Sequence, residues 1–202
     1  MASGKITKAP GRPRGFDAGK ALDAAMTVFW SKGYEGASLS DLTKAMRINR
    51  PSLYAAFGDK EALFRKVLDR YGEGPAAFVG EALREPTARR ALEKLLLRTA
   101  DVATEAAHPP GCLLVQGALA CGTAAESVRN DLMRRRQAGE KALRRRLKRA
   151  QSEGELSRKT NVADLARYFM TVIHGMAVEA ASGATRKELR SVAENALMAW
   201  PK

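Results

Sequence analysis

The sequence predicts an all-α protein, and three observations carry that prediction. Apolar residues recur at i, i+3, i+4 and i+7 in successive windows, the spacing that lines one side of a helix. No window alternates apolar and polar residues with period two, as a half-buried strand would. Capping residues, glycines and prolines stand between the periodic windows, where helices start and stop. At 202 residues the chain can bury a sizeable core, as one large or two small domains.

The first helix opens at Asp17, a good N-cap, and carries Leu22, Ala25, Met26 and Phe29 on one side. Gly33 supplies its stop. Ser38 followed by Asp41 reads as a capping box, and Leu39, Leu42, Ala45 and Met46 continue a second, short helix. Only residues 46–49 separate it from the third. Asn49 caps that helix, and Pro51 is tolerated in its first turn because the missing N–H has no partner there. Leu53, Ala56 and Phe57 fall on one inward arc, while Pro51 and Ala55 face the other way, flanked by Ser52 and Tyr54, with Arg50 at the helix mouth. Asp59 and Lys60 open a fourth helix with Leu63, Phe64, Val67, Leu68 and Tyr71 along one side, ended by Gly72, Gly74 and Pro75.

Helical patterning continues to the end of the chain. Phe78 to Leu83 is a short piece interrupted by Pro86. Thr87 caps a longer helix carrying Leu92, Leu95, Leu96, Thr99 and Val102. His108-Pro-Pro-Gly111 breaks the chain, and a helix resumes from Cys112 to about Cys121. A long helix follows over about 127–152, with Val128, Leu132, Leu143 and Leu147 on one side. The stretch from Asn161 to about Ala181 is apolar over most of its circumference, so it should be buried on more than one face. Arg186 to Trp200 closes the chain, giving about nine or ten helices in all.

Lys and Arg number 35 against 22 Asp and Glu, a formal net charge of +13. That balance points to a polyanionic partner. No run of about 18 apolar residues occurs, so no membrane span is expected. The N-terminus lacks an apolar signal-peptide core, so a cytoplasmic location is expected. Two cysteines give no disulfide framework. Residues 1–16 are polar, with two prolines and three glycines, a composition that cannot bury a core and predicts a flexible basic arm. Arg12 and Arg14 on its extended Gly/Pro backbone suit a narrow minor groove, where negative potential is enhanced. The plainer reading of this arm is a solubilising tail.

Two short capped helices joined by a tight turn make a helix-turn-helix, whose second helix fits a DNA major groove. Here the run Ile48-Asn-Arg-Pro-Ser-Leu-Tyr-Ala-Ala-Phe-Gly-Asp-Lys-Glu-Ala-Leu63 resembles the DNA-binding signature of TetR/AcrR-type transcriptional regulators. Leu53, Tyr54, Phe57, Lys60 and Leu63 carry the resemblance, which extends over about residues 16–70. Two positions depart from it: Arg47 stands in the turn where the family often has Gly, and Pro51 where it often has a small residue. The resemblance implies a three-helix DNA-binding domain over 17–71, with helix 59–71 as connector, and an effector-binding and dimerisation domain over 72–202.

Position suggests roles. Arg50 suits guanine in the major groove, Ser52 a base edge or phosphate, and Pro51 and Ala55 thymine methyl groups. Ser38, Thr43, Tyr54 and Lys60 are expected at phosphates, Ser38 and Lys60 near helix N-termini, and Arg47 as a further phosphate contact. In the resembled family the positions of Tyr54 and Lys60 commonly do this. With so few polar readers on the recognition helix, DNA shape and the arm would carry much of the specificity. One such helix makes a small interface, so specific binding calls for two half-sites and a two-fold partner. The candidate homodimer seam is the last two helices, with Phe169, Ile173, Val178, Val192, Leu197 and Trp200 in excess of what one internal face needs. The family pairs these helices as a four-helix bundle. An ordinary buried core is the plainer alternative.

An effector pocket among the central helices is expected to draw on Phe78, Leu96, Cys112, Leu114, Gln116, Tyr168 and His174, although residues of these kinds are more often plain core. Pro110-Gly-Cys-Leu-Leu114 resembles the Gly-Cys-Leu segment opening the sixth helix in one branch of the family, some members of which sense electrophiles or oxidants through that cysteine. A helix N-terminus favours thiolate, the reactive form; a buried, inert thiol is the other reading. Cys121 lies half a turn out of phase and should not pair with Cys112 within one helix. Ten basic residues between Arg129 and Arg149 stand against Asp131 and Glu140. Such a run is usually a solvated face; a further nucleic-acid contact or a site for acidic ligands are its alternatives.

The sequence therefore predicts a homodimeric transcriptional regulator, a repressor released from a palindromic double-stranded operator by a small molecule or by modification of Cys112. A non-specific nucleic-acid-binding protein is the rival class. With only His108 and His174 as histidines, and no Cys-x-x-Cys, phosphate-cradling glycine motif or carboxylate–histidine spacing, no enzyme, cofactor or metal is expected.

Overall fold

The computed structural model describes residues 15–119 and 125–201. Among them are ten helices: α1 (Ala18–Gly36), α2 (Leu39–Met46), α3 (Arg50–Phe57), α4 (Lys60–Glu73), α5 (Phe78–Ala82), α6 (Ala88–Ala103), α7 (Leu113–Leu119), α8 (Glu126–Ser152), α9 (Val162–Ala181) and α10 (Arg186–Leu197). None is long and apolar enough to cross a membrane. The arm arginines Arg12 and Arg14, and Cys121, lie outside the described residues.

The expected caps form. The Asp17 carboxylate accepts from the N–H groups of Gly19 and Lys20, and Thr87 Oγ1 accepts from Arg90 N–H. Each satisfies first-turn donors that have no intrahelical acceptor. Gly33 is more a kink than a stop: its φ of 70° and ψ of 175° interrupt the helical path, yet α1 resumes and runs to Gly36. Gly33 is buried, and Tyr34 just after it packs on Phe64 at 5.2 Å between ring centroids.

Two cores organise the chain. The first gathers Ala25, Phe29, Trp30, Leu42, Leu53, Phe57, Leu63, Phe64 and Tyr71 from α1–α4, and continues into Leu113, Val128 and Leu132 of α7 and α8. The second joins α6, α8, α9 and α10 through Leu92, Leu96, Leu143, Leu147, Phe169, Met176 and Leu189. Both Leu96 and Phe169 are completely buried in it. Leu96 is therefore core, not a pocket residue, and Phe169 is core, not a seam between copies.

Polar ties fix the long helices. Arg190 of α10 grips Asp101 of α6 through both carboxylate oxygens, at 2.9–3.0 Å. Arg146 of α8 is buried; it donates to the carbonyls of Glu85 and Pro86, and Glu155 lies 3.6 Å away. Glu155 in turn accepts from the Ala88 N–H that opens α6. A basic face that was expected to be solvated thus sends at least this arginine inward.

Between α6 and α7 the chain turns at Gly111, whose φ is 91° and whose N–H donates to the Ala103 carbonyl at 2.8 Å. A Cβ there would meet the Ala177 carbonyl oxygen at 2.8 Å. Gly154 has a similar φ of 82° but open space around it. Left-handed backbone costs a non-glycine residue about 1–2 kcal/mol. Gly111→Ala is therefore expected to lower the melting temperature by more than Gly154→Ala, which bears only that strain, roughly 2–8 °C at this chain length. Equal losses in the two variants, read by thermal denaturation, would discount the close approach.

Candidate nucleic-acid interface and internal cavity

The α2–turn–α3 unit exposes one face and buries the other, as the periodicity required. Leu53 and Phe57 are buried in the first core, and Ala56 packs beside them. Arg50, Pro51, Tyr54 and Ala55 are exposed, with Tyr54 48% accessible. Ser52 is half-buried at the first turn, where its N–H donates to the Asn49 side chain at 2.8 Å. The arrangement presents a short helix whose outward residues are a cation, a phenol and small apolar groups. That is a shape for a groove, with few hydrogen-bonding readers.

The turn itself carries strain. Arg47 adopts left-handed backbone, φ 54° and ψ 40°, and among the described residues it is the non-glycine with positive φ. Its N–H closes the end of α2 onto the carbonyls of Lys44 and Thr43, and its side chain is exposed. Lys44, also exposed and three residues earlier on α2, adds a second cation at this edge. Sequence reasoning passed over Lys44; its i, i+3 relation to Arg47 was the available signal.

The hydroxyls named for phosphates are partly committed elsewhere. Ser38 Oγ donates to the Asp41 carboxylate at 2.7 Å and accepts from its N–H. Lys32 of α1 sits 2.8 Å from the same carboxylate. The Lys32 ammonium, followed by the Ser38 hydrogen bonds, lowers the Asp41 pKa to about 2. The stabilisation this gives is complete above the ordinary carboxylate range and fades as pH falls towards 2. Thr43 Oγ1 donates to the Leu39 carbonyl at 2.9 Å. Phosphate oxygens need donors, so both hydroxyls must rotate before they serve one. Lys60 is half-buried, its Nζ 4.6 Å above the Tyr34 ring and 3.5 Å from the Glu35 carbonyl oxygen. Burial lowers its pKa, and Glu35 opposes that shift. In this position Lys60 pins the start of α4 to the end of α1.

Below these helices lies a cavity of about 220 Å³, walled by α4, α5, α6, α7, α8 and α9. Of the residues named for a pocket, Phe78, Cys112, Leu114 and His174 line it. Gln116 and Tyr168 do not. Gln116 turns away to donate to the Pro110 carbonyl, bracing the Gly111 turn, and Tyr168 is 42% exposed on the outside of α9. Ile173, expected at the seam, lines the cavity instead. The helical phase of α9 explains both: it splits between the second core, the cavity and the surface. Val178 and Val192 are exposed, while Leu197 and Trp200 half-bury against the second core.

Two cavity features escaped the sequence reading. Tyr71 of α4 lines the cavity and donates its hydroxyl hydrogen to Cys112 Sγ at 3.2 Å. Burial, and then Cys112, raise its pKa well above the usual phenol range. The Tyr71 ring meets Trp30 of α1 edge-on at 5.0 Å, and Trp30 stacks on His108 at 4.3 Å. Arg135 and Arg136 of α8 also line the cavity. Their signal was present: Arg136 is four residues after Leu132 and seven before Leu143, in register with the inward stripe.

A helix-turn-helix with an exposed second helix, fused through a shared core to a helical domain that holds a cavity, is the architecture of a DNA-binding regulator. Residues 21–67 match the family described as bacterial regulatory proteins, tetR family, and residues 87–199 the tetracyclin repressor-like C-terminal domain. The chain belongs to the TetR family. It is 35% identical over 199 residues to the HTH-type transcriptional repressor ComR of Escherichia coli (strain K12), covering 98% of this chain and 95% of ComR. It is 35% identical over 118 residues to the repressor BdcR of the same strain, covering 58% of this chain and 60% of BdcR. Among solved structures, a cysteine mutant of the TetR family regulator CifR, complexed with 26-base-pair double-strand operator DNA, superposes with a TM-score of 0.91 at 42% identity, covering 94% of this chain and all of that one. The protein is thus a TetR-type, DNA-binding transcriptional regulator.

Arg47 tests the interface. Replacing it with Gly relieves the left-handed strain and adds chain entropy to the unfolded state, a net gain of roughly 0.5–1 kcal/mol. The same change removes an exposed cation beside the recognition helix. Arg47→Gly is expected to melt slightly higher yet to bind operator less tightly, with the salt slope shallower by about one unit per bound subunit. Unchanged affinity and slope would remove Arg47 from the interface.

Proposed function

We propose that the protein is a repressor that binds a palindromic operator as a homodimer and is released when a small molecule occupies the α4–α9 cavity. The observation that carries this reading is the exposed face of α3, with Arg50, Pro51, Tyr54 and Ala55 presented by a helix-turn-helix whose inward Leu53 and Phe57 are buried. ComR and BdcR are named repressors, and CifR is described on operator DNA, in support. In this reading Arg50 reads a base, Pro51 and Ala55 lie on thymine methyls, and Tyr54, Ser52, Arg47, Ser38, Thr43 and Lys60 hold phosphates. Residues 17–71 bind DNA, and the rest of the chain senses and dimerises.

The seam between copies is α9 with α10, where Tyr168, Val178, Val192 and Met198 are exposed apolar side chains. Met198, 76% accessible, joins the residues named from sequence. The path from cavity to DNA runs through α4. Glu61, Arg65 and Asp69 repeat every four residues along α4, and they face Ser127, Asp131 and Arg135 at the same spacing on α8. Ser127 donates to Glu61 at 2.5 Å, Arg65 stands 3.5 Å from Asp131, and Arg135 donates to Asp69 at 2.6 Å. A ligand that displaces α8 therefore drags α4, and with it the spacing of the two recognition helices.

Selection from a random duplex library at near-physiological salt tests the reading. An inverted repeat is expected, with Arg50→Ala binding it roughly 5–150-fold more weakly, the range for loss of one good base contact. Salt-sensitive binding without an enriched sequence would overturn the operator reading in favour of non-specific nucleic-acid binding.

One observation favours a second reading. Cys112 lines the cavity, with the Tyr71 hydroxyl donating to its sulfur, so oxidants or electrophiles reaching the cavity meet a thiol in direct contact with α4. Cys112→Ser is then expected to bind operator normally and to lose release by hydrogen peroxide or iodoacetamide. Wild-type-like release from the variant would dismiss this route.

A further inference from the structure

One of the two arginines at the cavity, Arg136, has no ion pair among the described residues. The cavity wall is mostly apolar, with the Tyr71 and Thr99 hydroxyls and the Cys112 thiol, and its basic groups are Arg135, Arg136 and His174. Among the described residues no carboxylate lines it. The carboxylates nearby are engaged: Asp69 receives Arg135 at 2.6 Å, and Glu140 faces Arg167 at 3.8 Å. The Arg136 Nε is buried without a hydrogen-bond partner. A guanidinium with an unmet Nε–H beside an apolar space is costly unless an acceptor completes it. His174 also lines the cavity. Burial, and then the charge of Arg136, lower its pKa while Glu140 opposes them, which favours the uncharged ring with one N–H to offer.

We propose that the cavity receives a small apolar molecule bearing one carboxylate, with Arg136 as its counter-charge and His174 as a second donor. The planar fork of a guanidinium matches a carboxylate through two parallel hydrogen bonds, which an alcohol or an amide cannot reproduce. The rest of the wall, including Phe78, Leu95, Val115 and Met170, suits a hydrocarbon body. The volume of about 220 Å³ sets the size. An apolar cavity of about 150 Å³ takes up benzene, so a single ring or a short alkyl chain with its headgroup fits. The proposal rests on the reading of this cavity as the effector site.

The probes are hexanoate and benzoate, each paired with its uncharged counterpart, hexan-1-ol and benzyl alcohol. The full-length protein is titrated with each while two signals are followed: the melting temperature without DNA, and the anisotropy of a labelled operator. The acids are expected to raise the melting temperature and to weaken operator binding at concentrations where the alcohols do neither. Arg136→Met keeps most of the apolar stem and should lower the apparent affinity for the acids at least tenfold. Arg136→Lys, which retains charge without the fork, should fall between the two. Alcohols that match the acids, acids that bind Arg136→Met as tightly as wild type, or no shift with any probe would each overturn the proposal. The melting signal needs no operator, so it decides on the headgroup even where the DNA reading itself fails.

Discussion

Everything in this molecule that links DNA to cavity depends on how α4 is buried. One face of the helix, with Leu63, Phe64, Val67 and Leu68, closes the core of the DNA-binding helices. That same core continues into Leu113, Val128 and Leu132 of α7 and α8. Close-packed interiors transmit displacement instead of absorbing it, because a side chain cannot shift without moving its neighbours. Tyr71 makes the coupling most direct. It touches Trp30 of α1 on one side and Cys112 at the cavity wall on the other. A change at the cavity therefore has no slack to cross before it reaches the three-helix domain.

The reading head is held by local chemistry that costs little and by one conformation that costs more. Ser38 and Asp41, Asn49, and Asp59 satisfy the first-turn donors of α2, α3 and α4 in turn. Each cap is worth on the order of 1 kcal/mol, enough to keep very short helices in place. Arg47 opposes this economy by holding left-handed backbone at an exposed corner beside the recognition helix. Strain of this kind persists where the surrounding structure over-determines it, and it tends to gather at functional sites.

Helix α8 shows why a charge run cannot be read as one thing. Its basic residues divide three ways. Some face solvent, such as Arg134 and Lys148. Arg146 is buried between the ends of α5 and α8, where backbone carbonyls and Glu155 receive it. Arg135 and Arg136 reach the cavity, one paired with α4 and the other without an ion pair among the described residues. The ion pair to α4 and the cation at the cavity thus stand on adjacent residues of one helix.

Much of the fold lay in local pattern. Helical periodicity, caps and glycine punctuation are short-range properties, so the helices, the helix-turn-helix and the inward set Leu53, Ala56 and Phe57 were legible from the sequence alone. So was the exposed set on α3, because a buried arc on a short helix dictates its opposite. What the sequence left open was every choice between two apolar faces. Leu96 and Phe169 became core, Ile173 turned to the cavity, and Gln116 and Tyr168 turned away from it. Val178 and Val192 stayed outside. A helix such as α9 is apolar nearly all round, and periodicity cannot say which neighbour covers which stripe. Only the crossing of α6, α8 and α10 over it decides that. The same holds for charge: composition counts arginines, while their partners are set by distance in space, which pairs Arg135 with Asp69 and leaves Arg136 facing an apolar cavity.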